Sequence, residues 1–169
     1  MQGMTLDPRD EDARPAEPDR NETPHERLDR NLTELVGELR VALPGVQVLF
    51  AFLLTVPFNQ RFEDTTQFQK DVYLITLLST AVATALLLAP STLHRIQFRR
   101  DDKRYIVHTA NRYAIAGFAA LMVSVTCAVL LVTDFVYSDT TAAIATTAIA
   151  LVLAVCWFVL PVMRRMKNG

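Results

Sequence analysis

The sequence predicts an all-α integral membrane protein with four transmembrane helices preceded by a cytoplasmic amphipathic helix. Three observations carry that reading. Val41–Gln60, Val72–Leu93, Tyr113–Thr133 and Thr140–Met163 contain no charged residue. A hydrocarbon core of about 30 Å needs about 20 mostly apolar helical residues, and each stretch meets that length. The chain is 51% hydrophobic and 21% charged, with mean hydropathy +0.21. Nearly all of the charge is confined to the first forty residues and two short connections. Finally, Lys and Arg alternate between connections, as they do in multi-pass proteins.

The tail, residues 1–23, opens the chain. It holds Pro8, Pro15 and Pro18, seven acids against three arginines, and almost nothing apolar. Such a segment cannot bury enough surface to fold and reads as disordered. Met1–Glu22 lacks the basic-then-apolar order of a cleaved signal peptide, so the first span is expected to act as an uncleaved anchor.

Order begins at Thr23-Pro24-His25-Glu26. Thr23 suits the N-cap, Pro24 the first helical position, and Glu26 completes a capping box. The helix over 24–43 is amphipathic. Leu28, Leu32, Leu35, Val36, Leu39 and Leu43 share one face, with Arg27, Arg30, Glu34 and Glu38 on the other. Its mixed charge favours docking on protein over lying in the membrane interface. Pro44-Gly45 breaks or kinks the chain before span one.

The membrane domain, 44–163, places spans at about 44–60, 72–93, 113–133 and 140–163. Span one is bulky and closed by Pro57. The connection after it is polar, with Phe62 and Phe68 as anchors. The other spans carry small or hydroxylated residues at helical spacing: Thr76, Thr80 and Thr84; Ala116, Ala120, Ser124 and Cys127; Ala143, Thr147, Ala150 and Ala154. Such stripes let membrane helices approach closely, so a four-helix bundle is expected. Hydroxyls lining a polar path are the sharper reading, but they also bond helix carbonyls locally.

Orientation follows from the loops. The connection Ser91–Arg112 holds Arg95, Arg99, Arg100, Lys103, Arg104 and Arg112, and the tail 164–169 holds Arg164, Arg165 and Lys167. The connection after span one holds only Arg61 and Lys70, and that before span four holds none. Both termini and the middle loop are therefore expected in the cytoplasm of a bacterial plasma membrane. Tyr73 and Tyr137 fall at outer ends, Tyr113 and Trp157 toward inner ones. Arg95–Arg104 would attract anionic lipid headgroups. Topology explains those cations better than nucleic acid does.

Candidate chemistry is sparse. No span holds Asp, Glu, Lys, Arg or His in its interior, the residues that usually mark ion and proton sites. Gln47 is a large polar side chain within a span, suited to bridging helices or to contacting an ion. Asp134 has no cation in its own loop, and solvation is its default state. His94 and His108 flank Asp101-Asp102, where the middle connection is expected to turn, and an antiparallel hairpin would set them level. Two level imidazoles suit pH sensing or a shared metal, whereas the plainer reading is interfacial anchoring. Cys127 and Cys156 differ in depth by roughly 10 Å, too far for a disulfide. No phosphate loop, nucleophile elbow or paired-cysteine metal motif occurs. The reading is of a protein that is not an enzyme, needs no cofactor, and partners the bilayer and either its own copies or another membrane protein. Glu34, Glu38, Gln47, His94 and His108 are its candidate functional polar positions.

The segment RNLTELVGELRVALPGVQVLFAFLLTVPFNQRF, Arg30–Phe62, resembles the opening of an uncharacterised family of small bacterial membrane proteins. APSTLHRIQFRRDDKR, ANRYAIAG and WFVLPVMRR are similar to that family's middle loop, third span and terminus. The resemblance covers roughly residues 26–167. Its members are known as a domain of unknown function, and some carry an automatic sodium/proton antiporter label. The resemblance thus implies a sodium/proton antiporter or cation channel subunit as the alternative function, and supplies no catalytic residue.

Overall fold

In the computed structural model, residues 23–97 and 103–167 are described. They form α1 (Pro24–Thr55), α2 (Gln67–Gln97), α3 (Lys103–Val136), α4 (Asp139–Ala154) and α5 (Leu160–Lys167). Two short 3-10 turns, Val56–Phe58 and Gln60–Phe62, follow α1, and a π-helical segment, Val155–Val159, joins α4 to α5. Four helical stretches are long and apolar enough to cross a membrane: Glu26–Phe58, Gln67–Leu93, Tyr105–Val136 and Asp139–Arg164. This is the pattern of a multi-pass membrane protein. The expected tail before Thr23 and the turn at Asp101-Asp102 lie outside the described residues.

The start of α1 is capped as its sequence requires. The Glu26 amide donates to Thr23 Oγ1 at 3.3 Å, and the Thr23 amide donates to Glu26 Oε2 at 2.8 Å. That backbone bond, with the Thr23 hydroxyl's own bond, holds the Glu26 carboxyl below its ordinary pKa. A depressed carboxyl stabilises above its unfolded pKa and loses that contribution as pH falls through the folded one. Glu26→Gln is therefore expected to remove the acid-side fraying of the first turn. Amide exchange at Arg27–Arg30 across an acid titration measures it, and unchanged acid sensitivity in the variant would sink the reading.

The break expected at Pro44-Gly45 does not occur. α1 runs through Pro44 as one helix of 32 residues, so the amphipathic segment is its first half and not a separate element. Leu32, Leu39, Val46 and Leu53, each seven residues from the last, are all buried. Interior proline costs about 3 kcal/mol. Packing on both sides of Pro44 offsets that cost. A broken helix would also leave several more backbone groups unsatisfied in hydrocarbon.

The same heptad logic organises α2 and α3. Tyr73, Thr76, Thr80, Ala83, Leu87 and Pro90 form the buried seam of α2, at alternating three- and four-residue steps. Ile106, Ala110, Ala114, Gly117, Leu121 and Ser124 form that of α3. A 3.5-residue period is the signature of left-handed helix pairing. α1 lies against both α2 and α3, and Leu39, Val46, Ala83, Leu87, Ala114 and Leu121 make one core. A second cluster, Leu32, Ile106 and Ala110, continues it toward Pro24 and Lys103, here called the lower end.

A closed four-helix bundle is not formed. α4 packs chiefly on α3, and Ala142 is its one buried residue. The chain reverses between Val136 and Asp139, which sets α4 beside α3. The π segment beside Pro161 has a local cause. A proline ring clashes with the carbonyl four residues earlier, which here belongs to Trp157. The wider turn, with Leu160 N–H bonded to the Val155 carbonyl, relieves it.

Candidate functional site

The fully buried polar residues, Thr76, Thr80 and Ser124, gather on the α2–α3 seam, while on α4 the Thr146 Oγ1 atom is buried without a hydrogen-bond partner among the described residues. Thr76 Oγ1 donates to the Val72 carbonyl at 2.7 Å, and Thr80 Oγ1 to the Thr76 carbonyl at 2.7 Å. From α3, Ser124 bonds the Thr80 hydroxyl and reaches the Thr76 carbonyl at 3.3 Å. All three hydroxyls are fully buried. The expected stripes of spans two and three therefore meet here, at Thr76, Thr80 and Ser124, and Cys127 of the same stripe is half-buried. Ala116 is exposed and Thr84 half-buried.

Below that junction the helices approach closely at Gly117. A Cβ placed there would lie 2.8 Å from Leu87 Cγ and Cδ2 and 3.3 Å from Leu86 Cβ. Only glycine fits this approach. The sequence reading missed Gly117. Its position, three residues from Ala114 and seven from Ser124 on the seam, is the signal that marks it.

At the upper end, where α1 finishes and α2 starts, two long-range bonds tie the helices. Tyr73 Oη donates to the Leu53 carbonyl at 3.0 Å. In an unbroken helix that carbonyl would receive the amide of residue 57, which is a proline. Tyr73 is buried against its own chain, with Phe62 edge-on at 5.5 Å. Gln69 Nε2 donates to Asp134 Oδ2 at 2.9 Å, so Asp134 is bound to α2 and not merely solvated.

The candidate positions read from sequence do not converge. Glu34 is exposed and pairs with Arg30 at 3.9 Å. Glu38, Gln47 and His108 are exposed. His94 lies in α2, and its side chain is outside the described residues, as are Arg99 and Arg100 of the expected lipid-headgroup patch. Arg95, on the same patch, is exposed. On α4, Ala143 and Thr147 are exposed, Ala150 and Ala154 half-buried. That stripe faces α3 only in part. Both cysteines are free. Among the described residues, no three His, Cys, Asp or Glu side chains gather as a metal site would require.

Two open apolar grooves mark the surface. One of about 460 Å³ lies between α3 and the π segment, lined by Ile115, Phe118, Trp157, Phe158, Pro161 and Val162. Trp157 meets Phe118 edge-on there at 5.7 Å. The other, about 430 Å³, lies at the upper end between α1 and α3, with Phe52, Leu131 and Phe135 among its walls. The first lining suits a hydrocarbon chain, whereas the second sets Thr55, Asn59, Thr65 and Gln69 among its apolar walls.

The family of unknown function DUF6328 matches residues 21–161. The chain belongs to the DUF6328 family. No curated protein and no solved structure matches it. The DUF6328 match spans α1 to α4 and the π segment, so all of the buried seams described above fall within it.

Proposed function

We propose that this DUF6328 protein is a non-enzymatic multi-pass membrane module that acts through helix–helix association, with its own copies or with another membrane protein. Both termini and the α2–α3 connection face the cytoplasm of a bacterial plasma membrane in this reading. The observation that carries it is the use made of the buried polar groups. Thr76, Thr80, Ser124 and Tyr73 are bonded to one another or to helix carbonyls, which is what packing needs and transport does not. Sodium/proton exchange needs a group that alternately binds ion and proton, normally a carboxylate within the membrane. The charge-free stretches supply none.

Proteoliposomes containing this chain alone test the reading. The expected result is no Na⁺-dependent proton movement at any pH between 6 and 9, the range about the ordinary His and Cys pKa values. Robust, pH-dependent flux would overturn it in favour of the antiporter. Orientation is tested separately, in a background lacking Cys127 and Cys156. Asp64→Cys and Asp139→Cys are expected to react with an impermeant thiol reagent added to intact cells, and Lys103→Cys is not. The reverse pattern inverts the topology.

A further inference from the structure

Gln47 stands on the wrong side of α1 for a residue that packs within its own chain. The helix buries Leu39, Val46 and Leu53, whereas Gln47 is exposed, as are Pro44, Ala51 and Leu54 along the strip that runs through it. No hydrogen bond to the Gln47 side chain is formed among the described residues. Its depth makes that costly. Gln47 precedes Phe58 by 11 residues, about 16 Å along the axis, and follows Val41 by six, about 9 Å, which places it inside the lower half of a core of about 30 Å. An amide there meets hydrocarbon on every open side and has no water to bond.

We infer that the Gln47 strip of α1 is the contact surface for a second copy of this chain, with Gln47 pairing to Gln47 across a two-fold axis. This rests on the helix-association reading and assigns it a surface. The occupant follows from chemistry and symmetry. A carboxamide both donates, through Nε2, and accepts, through Oε1, so an identical amide satisfies both halves. All copies of a membrane protein share one orientation. A two-fold axis between them must therefore run along the membrane normal, and identical residues then lie at equal depth. Self-contact at Gln47 is what an isologous interface provides without further adjustment. Ala51, one turn above, is small enough to let the two backbones approach. A single polar residue in an otherwise apolar helix seam is also a known device for fixing register.

The full-length chain lacking Cys127 and Cys156, reconstituted in lipid vesicles, supplies the test. Oxidative crosslinking is expected to yield dimer from Ala51→Cys and Leu54→Cys. Val48→Cys and Phe52→Cys, on the other exposed flank of α1, are expected to yield little. In parallel, dimerisation is read by energy transfer on lipid dilution. Gln47→Leu is expected to weaken it about tenfold, and Gln47→Asn to retain most of it. Gln47 is exposed, so the monomer's melting temperature serves as a folding control and is expected to hold in both variants. Unchanged dimerisation in Gln47→Leu overturns the inference. A crosslinking peak at Ala143→Cys or Ala150→Cys also overturns it, moving the interface to α4 while the association reading stands. A chain that is monomeric throughout, in vesicles and in cells, overturns the inference and leaves the association reading with another membrane protein as its partner.

Discussion

Gly117→Leu is expected to abolish the folded protein, and Gly117→Ala to lower its stability by about 1–3 kcal/mol. Two effects compete at this position. Alanine in a helix interior is favoured over glycine by about 1 kcal/mol, so propensity alone predicts a gain. Packing opposes it. A methyl group at Gly117 would sit 2.8 Å from Leu87, and Leu87 is 0% exposed, with no open space into which to rotate. The backbone of α3 must then retreat from α2, and the Ser124 bonds to Thr80 and to the Thr76 carbonyl lengthen with it. Gly45 is the control, because nothing lies within 4 Å of a Cβ built there. Thermal melting in detergent decides the sign. A Gly117→Ala variant that gains stability as Gly45→Ala does would show that the seam has slack.

Leu39→Glu is expected to cost several kcal/mol, enough to remove monodisperse protein at neutral pH. Leu39 is 1% exposed and belongs to the core shared by α1, α2 and α3. Leu39→Ala isolates the packing share, expected at about 2–5 kcal/mol. The charge share has its own signature. Desolvation raises the pKa of a buried carboxyl, so the glutamate variant regains stability as pH falls toward protonation, whereas the alanine variant does not. A Leu39→Glu protein that melts like the parent at pH 7 would mean that this face opens to water.

Four helices and the Thr23 capping box were legible because each depends on residues close in sequence. Charge-free length marks a span, and Thr23 and Glu26 are one turn apart. The upper face of α1 was harder to read. Pro44 obscured it, although Leu32, Leu39, Val46 and Leu53 continue one period past the proline. Gly117 escaped notice because its constraint is Leu87, thirty positions away on another helix. For Tyr73, composition cannot reveal the bond from its hydroxyl to the Leu53 carbonyl, which Pro57 leaves with the Val56 amide as its backbone donor. On α4 the small residues run all round the helix, so their spacing does not tell which of them meets α3. Ala142 is buried and its neighbour Ala143 exposed, a rotation of about 100° that an alanine-rich helix conceals. The described candidate polar positions stand apart for a different reason. Spacing along single helices carries no information about which faces meet.

The attachment of α4 through α3 has a consequence for how the molecule is made. Translation delivers α1 first, yet its buried stripe has nothing complete to rest on until α3 has been synthesised, since Leu39 and Val46 share a core with Ala83 and Leu87 of α2 and with Ala114 and Leu121 of α3. Every fully buried member of that core lies before residue 137. The nascent chain can therefore reach its essential packing while α4 is still inside the ribosome. α4 then joins a finished surface, and Trp157 just beyond it closes onto a core already formed by the three helices before it.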